Sequence, residues 1–466
     1  MIETVYFGVI ACLTLVALTN WRWGIYLALF VDVARDPIRK LSDSQSVWMT
    51  VGGVLVWGGV FLGALLHDGP QLRSIFQRYP KLATGLQCLV LGLIPGTLLS
   101  LVLYNGGYKL ALIGLVSYLA PFVGIAVGFL VPITEKDVYR IMRFYTLINA
   151  VALIGTIAEY RGIEHRVLGG MDMEWLRYQH GFTVNLIAGI YRSPDIMGLH
   201  AAHVVVFAMC LALKSREGGK VGWSAIALWG LVSLLLSGRR KMLGIPLVFV
   251  AGYLAIGMLR GSRAAGRLAS MLALLATAGA IAVFVRQDIS VSHEYTQYAS
   301  TLFTESLERS RAVLQDGVVV TLYQSGVLGS GIGSATQGAQ YANIKRDKAW
   351  QEDGVSRLFK ELGVPGVVLV LCFLGFTAST IAMSMRIIPA QHRIALLQIA
   401  ILAIVLANGA SFAISHQQYS GDPGSAILVL LMMGIVLGLP RVYAREQQLY
   451  RQRRSQPAAA PEMVPA

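Results

Sequence analysis

Long apolar runs separated by short polar segments make up most of the sequence. Runs of about 18 to 23 residues are long enough for an α-helix to cross a hydrocarbon core. A membrane β-barrel would instead require apolar and polar residues to alternate with a period of two. The pattern therefore predicts an all-α fold, a polytopic transmembrane bundle of about 12 spans.

Candidate spans can be read directly from the apolar runs. The second run is too short to cross a membrane by itself, so the sequence predicts twelve or thirteen spans. They are 3–19, 24–34, 47–67, 83–104, 109–131, 138–158, 196–213, 222–237, 242–259, 265–285, 364–385, 394–415 and 424–440.

Two polar intervals, 159–195 and 286–363, are much longer than the rest and divide the chain. The expected organisation is a transmembrane part that includes the first interval as an outer loop, a large and partly helical outer loop, a C-terminal set of transmembrane helices and a cytoplasmic tail. The corresponding ranges are 1–285, 286–363, 364–440 and 441–466. The tail is basic and, past Ser455, has the composition of a disordered segment.

Composition narrows the class of protein. Of 466 residues, 55% are hydrophobic and 14% are charged, against about 25% charged in soluble proteins. This excludes a soluble enzyme, a secreted disulfide scaffold and a disordered chain. The four cysteines lie in apolar runs without metal-ligand spacing. His200 and His203, three residues apart, lack an acidic partner at metal-ligand spacing, so packing or hydrogen bonding is expected, with no metal and no cofactor.

The net charge of +14 predicts orientation rather than nucleic-acid binding, because no basic stripe with interleaved aromatic residues is present. Lys and Arg concentrate in cytoplasmic loops. The tail RVYAREQQLYRQRRS is therefore expected in the cytoplasm, together with the basic loops KSREGGK, RGSRAAGR and RIIPAQHR. Both long polar intervals then face the outside of the membrane.

The segment SGRRK breaks this rule, since it places Arg239, Arg240 and Lys241 at the outer boundary. One interpretation is snorkelling, in which long basic side chains reach the lipid headgroups. The other is an anion site, because guanidinium groups pair bidentately with phosphate oxygens. Arg192, in IYRSPDIMG, stands at the outer start of another span and is either a solvated charge or a second anion ligand.

Further candidates lie in and near the large loop. Arg311 belongs to a predicted amphipathic helix, where charges usually form a solvated face. Gly331 and Gly333 form a tight turn that permits close approach to a ligand. At the loop exit, Glu352, Asp353 and Glu361 are ionisable groups near the membrane face, and Glu361 is alternatively a cap or a salt-bridge partner of a loop arginine. His416 lies in the last short outer loop.

In this order, the elements resemble the bacterial O-antigen ligase and O-antigen polymerase superfamily. The resemblance covers about 190 to 440 of the sequence. Its motifs are RSPDIMG, a Ser-x-x-Arg turn from Ser237 to Arg240, the Arg311 segment leading into GSGIGSA, and a Glu-x-Gly-x-x-Gly formed by Glu361, Gly363 and Gly366. Ligases of the family carry His-Asn where this chain has Glu352 and Asp353, which favours a polymerase.

The resemblance implies an inverting, metal-independent glycosyltransferase in the inner membrane with its active site facing the periplasm. Donor and acceptor would be undecaprenyl-diphosphate-linked glycans, and membrane lipid, a chain-length regulator and a flippase would be partners. Its basic residues would bind the pyrophosphate, Asp353 or Glu352 would act as the base, and Glu361 would orient an arginine. The implied substrate-binding set is Arg192, Arg239, Arg240, Lys241, Arg311, Gly331, Gly333 and His416.

Three alternatives stay open. A ligase would transfer the glycan once to a lipid or protein acceptor. A polysaccharide transporter would need polar residues in mid-span and often internal repeats, and few such residues are evident. A scaffold or sensor in an export complex would use the large loop as a partner-binding surface.

Overall fold

The computed structural model describes residues 1–46, 48–171, 176–179, 182–215, 217–261, 317–342, 344 and 351–455. Its helices are α1 (Ile2–Thr19), α2 (Trp21–Leu41), α3 (Trp48–Arg78), α4 (Pro80–Leu103), α5 (Gly107–Leu119), α6 (Phe122–Leu130), α7 (Glu135–Ala152), α8 (Ile154–Tyr160), α9 (Pro194–Lys214), α10 (Glu217–Leu236), α11 (Arg240–Leu259), α12 (Gly354–Ile387), α13 (Arg393–Ile414), α14 (Gln417–Ser420) and α15 (Pro423–Ser455). A short hairpin, β1 (Leu176–Gln179) and β2 (Phe182–Asn185), pairs Leu176 with Asn185.

The predicted polytopic helical bundle is confirmed. Within the described residues, 11 helical stretches are long and apolar enough to cross a membrane, with α5–α6 and α7–α8 each counted as one. The chain is a multi-pass membrane protein. The span predicted at 265–285 and the loop segment with Arg311 lie outside the described residues.

Buried helices mark the centre of the bundle. In α9, 89% of the apolar stretch is buried, and the corresponding shares in α15 and α13 are 78% and 72%. The stretches of α1 and α10 are each 17% buried, so these helices lie at the perimeter. The helices α9, α13 and α15 therefore form the centre of the bundle.

Glycines at the contact between α6 and α15 let the two helices pack closely, and the order of the contacts shows that they run parallel. A Cβ atom on Gly124 would meet the Ile427 carbonyl at 2.3 Å, and one on Gly438 would meet the Phe129 carbonyl at 2.6 Å. Such contacts let helix backbones approach closely. The two helices therefore run parallel. The end of α6 lies near Arg441, which donates to the Phe129 carbonyl and is about 27 Å along α15 from Pro423. We call these two levels the Arg441 end and the Asp422 end of the bundle.

Helix α2 continues well beyond its apolar run. It has 21 residues, which span about 31 Å, whereas the sequence suggested a segment too short to cross. Arg22 donates to the Val131 carbonyl (3.1 Å) at the Arg441 end, and Arg35 pairs with Asp422 at the other end. The helix therefore runs from one end of the bundle to the other, with its charged half at the Asp422 end, although it is not among the 11 stretches apolar enough to cross a membrane.

Part of the predicted large loop folds into the bundle. The backbone N–H of Ile332 donates to the Gly96 carbonyl of α4 (2.8 Å), and the Ser100 hydroxyl donates to the Ile332 carbonyl (2.6 Å). Helix α12 begins at Gly354 rather than near 364, with a break at Gly363, whose φ is 65°. Residues 354–363 therefore belong to a buried helix.

The buried turn gives a prediction for Gly333→Ala. Gly333 has a φ of +84°, and an added Cβ would lie 2.1 Å from the Leu110 carbonyl oxygen. A left-handed alanine and the steric clash together should cost about 2 to 5 kcal/mol of unfolding free energy. Gly326→Ala is the matched control, since φ is +64° and nothing lies within 4 Å of its added Cβ. Equal unfolding temperatures for the two variants would contradict this account of the turn.

Candidate functional site

A buried ionic cluster occupies the Asp422 end, and Arg35 of α2 lies at its centre. The Arg35 guanidinium is 3.3 Å from Asp32 and 3.7 Å from Asp36, and it pairs with Asp422, which directly precedes α15. All four side chains are at most 8% exposed. Burial alone would raise the pKa of Asp422, but Arg35 and Arg192 hold that pKa well below its ordinary value. Asp422 is therefore ionised.

Arg192 joins this cluster to the surface. Its backbone N–H donates to Asp36 (3.1 Å), and its guanidinium donates to the Gly421 carbonyl (2.7 Å) and lies 3.7 Å from Asp36. The side chain remains 14% exposed. Arg192 therefore presents a positive charge at the bundle surface while a buried carboxylate holds it.

Arg239 and Lys241 converge on Asp195 in the first turn of α9. Their side-chain nitrogens lie 3.0 Å and 3.2 Å from the Asp195 carboxylate, and each side chain is 19% exposed. The chain enters α9 through a Ser193 cap, whose side chain accepts from the Ile196 N–H. Arg192 is three residues before Asp195. The structure thus brings three predicted basic residues together at the N-terminus of α9. Arg240 begins α11, and its side chain lies outside the described part of the structure.

A chain of hydrogen bonds runs behind this cluster. The Tyr145 hydroxyl lies 2.7 Å from His200 Nδ1 and 3.2 Å from His203 Nδ1. His203 contacts Asn408 (2.8 Å), whose side-chain oxygen also accepts from Tyr419 (2.8 Å). The two histidines are buried hydrogen-bonding residues, as predicted from the lack of an acidic partner at metal-ligand spacing.

The loop exit forms a second buried site around Glu361. Its carboxylate accepts from the Ala335 N–H (2.9 Å), the Thr336 hydroxyl (2.8 Å) and Arg357 Nε (3.1 Å). The Arg357 guanidinium lies 4.6 Å from the centre of the Tyr118 ring. Glu361 thus holds an arginine of its own helix, one turn earlier.

The two carboxylates predicted as alternative bases differ in their surroundings. Asp353 is 2% exposed and caps α12, since its side chain accepts from the Ser356 N–H (2.6 Å). Glu352 has an exposed side chain. Glu352 is therefore accessible to a substrate, whereas the Asp353 side chain is occupied as the cap of α12.

His416 is buried between Ser420 and Gln351, with its ring nitrogens 2.9 Å from the Ser420 hydroxyl and 2.9 Å from the Gln351 carbonyl. Burial, assisted by the charge of Arg357, lowers the pKa of His416 to about 3. The ring is therefore neutral near pH 7.

Residues 415–422 connect the two sites. The His416 N–H donates to the Glu352 carbonyl (3.1 Å), and the Gln337 N–H donates to Ser420 (3.4 Å). Gly421 and Asp422, in the same segment, contact Arg192 and Arg35. Residues 415–422 therefore contact both the basic cluster and the residues next to the Glu361 site.

Gly331 and Gly333 approach the protein's own helices. An added Cβ on Gly331 would lie 2.5 Å from the Ser100 hydroxyl oxygen, and Gly333 faces α5. The turn leads directly into Ala335 and Thr336, which hold Glu361. Gly331 and Gly333 therefore help to position the residues that bind Glu361.

Sequence reasoning missed Asp32, Arg35, Asp36, Lys40 and Arg357. Asp32 lies in the short second apolar run, and Arg35, Asp36 and Lys40 follow it directly. Their spacing of three and four residues places all four on one face of a helix. Arg357 lies four residues before Glu361, the spacing of a helical ion pair. Helical periodicity among charged residues was the available signal in both segments.

Comparison with known proteins does not indicate a function, so the chemistry of the site is the guide to function. No protein-family model matches the sequence, and no curated protein is significantly similar to it. Among the described residues, no group of three or more His, Cys, Asp or Glu side chains is arranged to hold a metal ion.

Proposed function

We propose that the protein is a membrane glycosyltransferase that polymerises lipid-linked oligosaccharide repeat units, with an undecaprenyl-diphosphate-linked donor. The observation that carries this proposal is the convergence of Arg192, Arg239 and Lys241 at the N-terminus of α9. These cations are partly exposed, and a helix N-terminus favours a negatively charged ligand. A diphosphate is the leaving group that such a site would stabilise as its charge develops.

The exposed Glu352 supplies a base for the acceptor. In the proposed step, an acceptor hydroxyl oxygen attacks the anomeric carbon of the donor sugar. The bond from that carbon to the diphosphate oxygen breaks with inversion, and undecaprenyl diphosphate leaves with the bonding electrons. Glu352 takes the hydroxyl proton, while Arg357 and Glu361 support the neighbouring loop.

The basic tail supports a reaction on the outer face of the bacterial cytoplasmic membrane. Arg445 and Arg451 follow the Arg441 end of α15, and such residues concentrate in the cytoplasm. With this orientation, the Asp422 end faces the periplasm. Lipid-linked glycans delivered there by a flippase would then reach the basic cluster.

We expect Glu352→Gln to lower kcat by about 100-fold to 10,000-fold, the usual contribution of a general base. The unfolding temperature should not change, because the side chain is exposed. Asp353→Asn is the matched control, since asparagine also caps helices and should leave kcat unchanged. Loss of kcat in Asp353→Asn alone would assign the base to Asp353, and full activity in both variants would reject both carboxylates.

The proposal is tested by incubating the purified protein in liposomes with lipid-linked repeat units. A ladder of products that grows by one repeat unit per step supports a polymerase. A single transfer to lipid A core would instead establish a ligase, and an absence of any transfer would reject the glycosyltransferase.

Transport is a second candidate function, because α2 carries buried charges within the bundle. Asp32, Arg35 and Asp36 are at most 6% exposed, and intramembrane charges often mark a substrate pathway. In the same liposomes, movement of labelled lipid-linked glycan between leaflets without polymer formation would favour transport.

A further inference from the structure

Lys40, in the last turn of α2, is surrounded by main-chain oxygen atoms. Its side chain is buried, with 4% of the residue exposed. Nζ donates to four carbonyl oxygens, which we call the carbonyl cage: Val167 (3.1 Å), Gly169 (2.5 Å), Gly189 (3.0 Å) and Tyr191 (2.7 Å). An ammonium group has only three protons, so four acceptors share them.

The carbonyl cage has the chemistry of a monovalent-cation site. Carbonyl oxygens that converge on one point replace the hydration shell of K⁺ in channel filters. Gly169 and Gly189 have φ angles of +84° and +60°, which allow the backbone to turn their carbonyls toward one centre. The Glu159 carboxylate accepts from the N–H groups of Ala188 (3.1 Å) and Gly189 (2.5 Å), so this loop is also held from a second helix.

Two residues of α2 hold the peptide group between Tyr191 and Arg192. Lys40 donates to the Tyr191 carbonyl oxygen, and the Arg192 N–H of the same peptide group donates to Asp36. The Arg192 carbonyl accepts from the Met171 N–H (2.9 Å). The backbone of Arg192 is therefore held by hydrogen bonds on both sides of its Cα atom. This fixes the position from which the Arg192 side chain extends.

We propose that Lys40 is a positioning residue whose ammonium group acts as a built-in monovalent cation and sets the backbone that carries Arg192. Shortening this side chain leaves a site for K⁺ or a small alkylammonium ion. The effect on activity rests on the proposed function, whereas the cation site does not.

The cation site is tested by thermal unfolding of Lys40→Ala in lipid nanodiscs. KCl and methylammonium chloride are compared with N-methyl-D-glucamine chloride, whose cation is too large for the carbonyl cage, at one ionic strength. We expect the first two salts to raise the unfolding temperature, because a ligand that binds only the folded state stabilises it. Wild type and Lys214→Ala should not respond, since Lys214 pairs with a single carboxylate, Glu135 (2.8 Å). Equal unfolding temperatures of Lys40→Ala in all three salts would overturn the site.

The positioning role is tested by chain extension with Lys40→Ala, Arg192→Ala and the double variant. Lys40→Ala should lower kcat/KM for the donor by about 10-fold to 100-fold. The double variant should be no slower than Arg192→Ala, because Lys40 acts through Arg192. Methylammonium should restore activity to Lys40→Ala and not to Arg192→Ala. Independent, multiplicative losses would overturn the positioning role.

The two arms separate the possible failures. If wild type makes no polymer, the proposed function fails and the unfolding temperatures still decide the cation site. If Lys40→Ala yields no folded protein, Lys40→Arg takes its place, since it retains the charge but its planar donors do not fit four converging oxygens. A Lys40→Arg protein with wild-type kcat/KM would overturn the positioning role.

Discussion

Replacing Arg192 with alanine should reduce chain extension by about 100-fold to 1000-fold, the range for removing one preorganised donor from a developing negative charge. Arg192 is held by Asp36 and Gly421 and is 14% exposed, so it can face a ligand without rearranging. Arg239→Ala should have a similar effect, because Arg239 belongs to the same basic cluster. Polymer length and initial rate in liposomes measure both.

The matched control for Arg192 is Arg393→Ala. Arg393 also pairs with carboxylates, Glu135 at 3.1 Å and Glu446 at 2.9 Å, but at the Arg441 end. Its loss should leave chain extension unchanged. Full activity in Arg192→Ala and Arg239→Ala, with normal amounts of folded protein, would reject the pyrophosphate site.

The largest effect on stability is expected for Arg35→Met. The substitution leaves Asp32, Asp36 and Asp422 without the cation they surround. Removing one partner of a buried ionic pair costs about 3 to 5 kcal/mol, so little folded protein should remain. Unfolding in detergent, followed by circular dichroism, measures the change.

Two further variants show whether uncompensated charge is the cause. Arg140→Ala breaks a surface pair in which Arg140 is 67% exposed, and it should cost less than about 1 kcal/mol. Adding Asp422→Asn to Arg35→Met should restore part of the lost stability, because it removes one of the unpaired charges. A fold as stable in Arg35→Met as in Arg140→Ala would show that the cluster is not ionic in the folded protein.

The sequence was sufficient for most of the helices and insufficient for α2. In a span such as α9, the apolar run is nearly as long as the helix itself, so the run predicts where the helix begins and ends. In α2, the apolar run covers 24–34, while the helix extends to Leu41. The extension is polar, and it forms a helix because partners from the segment before α15 and from the loop before α9 satisfy its charges.

The candidate site was predicted in part. Arg192, Arg239 and Lys241 were selected because they oppose the charge bias of membrane loops, and the structure places all three at one helix end. Their counter-ions could not be predicted from the sequence. Asp36 and Arg192 are 156 residues apart, and no local spacing connects them. Asp353 and Glu352 are neighbours, yet only the start of α12 distinguishes a buried cap from an exposed carboxylate.

By itself, the sequence determined that this chain is a helical multi-pass membrane protein, because continuous apolar runs of this length form helices that satisfy their own backbone hydrogen bonds in a hydrocarbon core. The tertiary structure decided which charges are buried and what they contact. Arg35 and Asp422 are 387 residues apart, and Lys40 is held by two stretches of the loop between α8 and α9. A buried charge is stable only with partners, and here those partners come from segments brought together by packing of the whole bundle.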